Sequence, residues 1–139
     1  MYLNVFDNLG KKTLPMRYRT LAVHRPSGRF TLSVKAVEEL GIKSGDTIAL
    51  AKDEESRDDW YLTFETDGLE SNSINVRTSE GKNRKQSRIA EFRNKAAARE
   101  ILDALGIPNA ATFIIATRGI QQDGRTWLRI ITTKPTRTK

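Results

Sequence analysis

A helix that stops on glycine and is followed at once by isoleucine occurs twice in this chain. Leu40-Gly41-Ile42 and Leu105-Gly106-Ile107 stand 65 residues apart, each behind a helix-like stretch and ahead of a strand-like one. Glycine at that place supplies the left-handed φ that ends a helix, and the isoleucine after it is set to enter a core. Thr47 falls on Thr112 and Ala51 on Ala116 at the same spacing, and with two extra residues Trp60-Tyr61-Leu62 meets Trp127-Leu128-Arg129. A repeated unit of this kind stacks on or pairs with its copy, because one copy cannot bury its own apolar face.

The pattern around each copy predicts the same order of elements. Residues 17 to 24, "RYRTLAVH", alternate like a strand; "RPSG" turns the chain, and "RFTLS" returns as a second strand. Ser33 is a helix cap, and Val34, Val37 and Leu40 form one apolar stripe over 34 to 40. "TIALA" and "WYLTFE" are strands flanking the polar hairpin "KDEESRDD". In the second half "INVRT" and "RIAEF" flank a long basic loop, and Asn94 caps the helix "KAAAREILDAL". "TFIIAT" and "WLRIITT" then flank the hairpin loop "RGIQQDGR". The expected fold is mainly β with two short helices (α+β): tandem ββαββ repeats at 17–66 and 74–133, joined by a linker at 67–73. Residues 1–16 form an arm or extra strand and 134–139 a mobile basic tail, with both repeats in one compact domain.

Composition limits the function classes. With no cysteine, disulfides and thiolate sites are excluded, and the single histidine, His24, offers no metal constellation and no Ser–His–Asp arrangement. No cofactor is expected, and no catalytic group can be assembled, so the chain is expected not to be an enzyme. No apolar run is long enough to cross a bilayer as a helix, and "MYLNVFDNLGKK" does not read as a secretion signal; a cytoplasmic location and no membrane partner are expected. The formal net charge is +7, which suits a polyanionic partner. That charge is uneven: residues 46–70 hold nine acids against two bases, and residues 77–99 hold eight bases against two acids.

The stretch from Gly28 to Ile42 resembles the AbrB/SpoVT family of swapped-hairpin DNA-binding domains. Its members read glycine–arginine, an apolar strand, a short helix, "LGI" and a "GD" turn into a strand. Here these are Gly28-Arg29, Phe30-Thr31-Leu32, the helix from Val34, Leu40-Gly41-Ile42 and Gly45-Asp46. The resemblance covers about residues 17 to 65 and implies a pseudo-dimeric swapped-hairpin β-barrel built within one chain, as in MraZ-type tandem proteins. It also implies a transcription regulator that sends the arginines of its first turn toward DNA. Ser33 stands where the family prefers proline, and Glu38 and Glu39 stand where DNA-binding members commonly carry bases. Asn109-Ala110 replaces the second "GD" turn.

Two basic groups are candidates for DNA contact. The turn offers Arg25 and Arg29, with Arg17 and Arg19 on the strand before it. The loop "RTSEGKNRKQSR" offers Arg77, Lys82, Arg84, Lys85 and Arg88, which are expected to neutralise successive phosphates. Duplex DNA is the favoured partner, with a further homodimer left open. A single-stranded DNA or RNA binder that stacks bases on Trp60 and Trp127 is one rival. A protein-interaction module using the acidic hairpin 53–59 is another, and for each candidate residue the plain alternative is an exposed or solubilising side chain.

Overall fold

The computed structural model describes residues 18–55, 59–80, 86–132 and 137–138. Its elements are, in chain order, β1 (Thr20–His24), β2 (Arg29–Leu32), α1 (Val34–Leu40), β3 (Thr47–Lys52), β4 (Trp60–Thr63), β5 (Asn72–Ser73), β6 (Asn75–Glu80), β7 (Gln86–Arg93), α2 (Lys95–Leu105), β8 (Ala110–Gln122), β9 (Arg125–Ile131) and β10 (Arg137–Thr138). The strands lie in the order β5-β3-β4-β9-β8-β1-β2-β7-β6, and every recorded pairing is antiparallel. The two ends of this path come together. β5 pairs with β3, and just beyond it Ile74 N–H donates to the Asp46 carbonyl at 2.8 Å while Gly45 N–H donates to the Ile74 carbonyl at 3.0 Å. The result is a nearly closed antiparallel barrel, an arrangement that leaves little exposed strand edge.

The helices close the barrel's ends. α1 leaves β2 and enters β3 at one end, and α2 leaves β7 and enters β8 at the other. Local chemistry explains both. Ser33 Oγ accepts from Ala36 N–H and Asn94 Oδ1 from Ala97 N–H, each satisfying a donor that the first helical turn leaves free. Gly41 and Gly106 terminate their helices at φ 63° and 70°, and Gly106 N–H reaches the carbonyls of Asp103 and Leu102. Ala36 and Val37 of α1 and Ala98, Ile101 and Leu102 of α2 are buried, so each helix turns one stripe into the barrel.

Strand alternation fills the interior. Leu21, Val23, Phe30, Leu32, Phe92, Phe113, Ile115 and Ile130 all point inward and are nearly solvent-free. Phe30 of β2 lies opposite Phe92 of β7, and their rings stack with centroids 4.7 Å apart. Ile42, directly after the first glycine stop, is buried, whereas Ile107 after the second is half-buried.

Three expectations need correction. The predicted hairpin loop at 118–125 is mostly strand: β8 runs to Gln122, and the turn is Asp123-Gly124 with positive φ at both residues. Asp-Gly favours such a two-residue turn, so the ribbon zips to its tip. Arg137–Thr138, expected within a mobile tail, pairs with Thr112 and Ala111 of β8. The linker contains β5. Among the described residues, no helix is long and apolar enough to cross a membrane.

Candidate nucleic-acid interface

The outer wall of β1, β2 and β7 carries the side chains that alternate with the core. His24 lies opposite Arg29, and Arg29 lies opposite Arg93, so one transverse row runs His24–Arg29–Arg93 across three strands. Among the described residues neither arginine has an ion-pair or hydrogen-bond partner for its guanidinium. Two like charges directly opposed on adjacent strands are destabilising. Beside them a groove of about 370 Å³ runs over the small floor residue Ala22, walled by His24, Arg29, Thr31 and Asn109. Two further bases stand just past Arg93: Lys95, the first residue of α2, and Arg99 one turn along it.

The turn between β1 and β2 is held firmly. Gly28 N–H donates to the His24 carbonyl at 2.9 Å, Arg25 N–H to the Asn109 carbonyl at 2.8 Å, and Asn94 N–H to the Gly28 carbonyl at 2.8 Å. Gly28 has φ 71°, and a Cβ there would come within 2.7 Å of the Lys95 Cα, so both conformation and space require glycine. His24 Nδ1 and Ser27 Oγ are 2.7 Å apart, a further tie across the same turn. The arginines of this turn therefore project from a fixed frame.

The sequence-derived candidates are dispersed. Arg29 is half-buried on the outer wall. Arg25 sits near it but is ion-paired with Asp103 of α2, its side chain about one-third exposed. Arg19 is buried at 8% exposure: its Nη2 donates to the Ala116 carbonyl, and its Nε lies 3.7 Å from the Glu39 carboxylate. It is a structural residue and cannot reach a duplex from there. Arg77 of β6 pairs with Glu91 at 3.0 Å on the outer face. Arg88, opposite Thr78, belongs to the other face of the same hairpin, so Arg77 and Arg88 do not line one phosphate track. Arg17, Lys82, Arg84 and Lys85 lie outside the described residues.

The two basic elements also sit far apart. Arg93, opposite Arg29, and Gln86, at the loop end of β7, are separated by the whole of that strand, which is about 23 Å at roughly 3.3 Å per residue. Arg93 was not among the sequence-derived candidates. It ends a strand beyond any glycine–arginine turn, and its juxtaposition with Arg29 exists through the β2–β7 pairing alone.

Trp60 and Trp127 occupy different environments. Trp60 points into the barrel at 3% exposure, its Nε1 unpartnered among the described residues, with Lys52 Nζ 6.0 Å from its ring. It has no face free for a base. Trp127 is half-exposed and pairs with Ile120 on the outer wall of β8 and β9. In the strand order, β4 and β9 lie on the side of the barrel opposite β2 and β7. The described acids Asp53, Glu54, Glu55 and Asp59 lie at the β3–β4 tip on that far side, where Asp59 is paired with Arg129 of β9. Among the described residues no three histidine, aspartate or glutamate side chains converge as metal ligands. Comparison with family models, with curated proteins and with solved structures gives no match.

Proposed function

We propose that this chain is a non-enzymatic DNA-binding protein acting in transcription regulation, and that it meets duplex DNA with the His24–Arg29–Arg93 wall and the basic β6–β7 hairpin. The observation that carries this is the opposed Arg29–Arg93 pair, unneutralised among the described residues and presented by a braced turn. Guanidinium forks match phosphate oxygens and guanine edges, and two of them at a cross-strand spacing suit adjacent backbone oxygens. Binding then comes chiefly from phosphate neutralisation, with base readout added by whichever fork reaches a groove. Trp60 is buried and Trp127 lies across the barrel from Arg29 and Arg93, so no open ring face stands beside these arginines for base stacking, which favours duplex over single-stranded nucleic acid as the partner.

The pairing pattern supports a swapped-hairpin origin for the barrel. β1 pairs with β8, β2 with β7 and β4 with β9, so strands before residue 66 are completed by strands after residue 74. On this reading two ββαββ copies in one chain do what AbrB-like domains do as two chains.

Duplex binding by fluorescence anisotropy at several salt concentrations tests the proposal. The Arg29→Ala/Arg93→Ala double variant is expected to lose about tenfold or more in affinity and to flatten the salt slope by about two phosphate contacts. Charge reversal at Arg84 and Lys85 is expected to weaken binding on all sequences. Affinity and slope equal to the parent protein in both variants would remove the nucleic-acid reading.

A further inference from the structure

We infer that the wall opposite the basic row is a docking groove for a second partner, a protein segment in which lysine or arginine alternates with apolar residues. The groove has a volume of about 510 Å³ and crosses the outer face of β3, β4, β9 and β8. Its floor is apolar and aromatic: Ala51, Tyr61, Trp127 and Ile120. Asp53, Glu54 and Glu55 stand at one end and Asp123 at the other. Ile120 is 46% exposed, and among the described residues only Tyr18 joins it as an exposed large hydrophobic side chain.

Charge complementarity identifies the occupant. None of these four carboxylates has an ion-pair partner among the described residues; Asp53 accepts only the Glu55 N–H, at 2.9 Å. Lys52, which also lines the groove, is paired with Glu100 at 3.5 Å, and neighbouring Asp59 with Arg129 at 3.0 Å, so the charge left unpaired among the lining residues is that of the four carboxylates. A nucleic acid is repelled by such a rim. A basic segment is attracted by it, can lay alkyl stems and apolar side chains along Tyr61, Trp127 and Ile120, and can set a cation over an aromatic face. Because this wall and the Arg29–Arg93 wall lie on opposite sides of the barrel, the groove stays open while the other side is engaged.

A decapeptide alternating lysine and valine, with a glutamate-for-lysine counterpart as control, is the probe. Titrated into the full chain, the basic peptide is expected to shift Trp127 emission and the acidic one to leave it unchanged. Asp53→Asn/Glu54→Gln/Glu55→Gln is expected to weaken peptide binding about tenfold, and Ile120→Ser severalfold. Both sets alter exposed or half-exposed side chains, and unchanged melting curves establish that they fold. Arg29→Ala/Arg93→Ala should bind the peptide like the parent, so failure here is separable from failure of the DNA proposal. Absence of basic-peptide binding, equal binding of the acidic peptide, or binding indifferent to all these substitutions overturns the inference. So does self-association abolished by the groove substitutions, which assigns the groove to a second copy, or stronger peptide binding after removal of residues 133–139, which assigns it to the chain's own tail.

Discussion

Ser33 shows how much one side chain can hold. Its hydroxyl accepts from Ala36 N–H, capping α1, and from Thr20 N–H at 2.9 Å, and it donates to the Tyr18 carbonyl at 3.3 Å. Its own N–H donates to the Thr20 carbonyl at 3.0 Å. The residue thus ties the start of β1 to the start of the first helix. Its φ of −69° would suit the proline that the resembled family prefers, but proline has neither the hydroxyl nor the N–H. Ser33→Ala is expected to cost about 1–2 kcal/mol, and Ser33→Pro more than that despite its compatible φ, both read from urea denaturation. Equal stability of the two variants would mean that the Thr20 pairing contributes nothing. Arg19, close by, works the same way: the residue is charged in composition but structural in place.

At the scale of elements, register decides what a side chain does. In the sequence Trp60 and Trp127 each open a strand, and lining up the two tryptophans makes them equivalent. In the barrel Trp60, Leu62, Leu128 and Ile130 face inward, so Trp127 falls on the outward set. A one-residue offset moves a side chain to the opposite face of a sheet. The measurable consequence is optical. Trp127→Phe, retaining Trp60, is expected to give blue-shifted emission resistant to acrylamide, and Trp60→Phe a red-shifted, readily quenched one. The reverse pattern would mean that β9 sits one residue out of the register described. The same alternation separates Arg77 from Arg88, turning an apparent run of bases into two faces of one hairpin.

For the whole molecule, closure is the governing fact. Each of β1, β2 and β4 finds a partner in the other half of the chain, so neither half alone can satisfy its strand edges or fill the interior. The intact chain is expected to unfold in one transition, as single domains of this size usually do. A fragment ending at residue 70 is expected to show no cooperative unfolding as a monomer and to regain it when mixed with residues 71–139. A monomeric fragment that melts cooperatively by itself would contradict this mutual dependence. Closure also separates the charges. Among the described residues, Arg29 and Arg93 are carried to one side of the barrel and Asp53, Glu54 and Glu55 to the tip of the β3–β4 hairpin on the other.

Local chemistry is legible in the sequence itself. Ser33, Asn94, Gly41 and Gly106 mark helix ends through hydrogen bonds and φ values set within a few residues, and the helix bounds 34–40 and 95–105 follow from them. The alternation of apolar residues likewise identifies most strands. What lies beyond that reach is pairing between distant segments. The opposition of Arg29 and Arg93, the burial of Arg19 and Trp60, and the groove joining residues 53–55 to 123 all depend on contacts across long stretches of chain. Such contacts form because backbone groups and apolar surface must be satisfied over the whole barrel at once. The sequence determined where the chain bends and which residues prefer the interior; the closed sheet decided which charges meet and which wall each one faces.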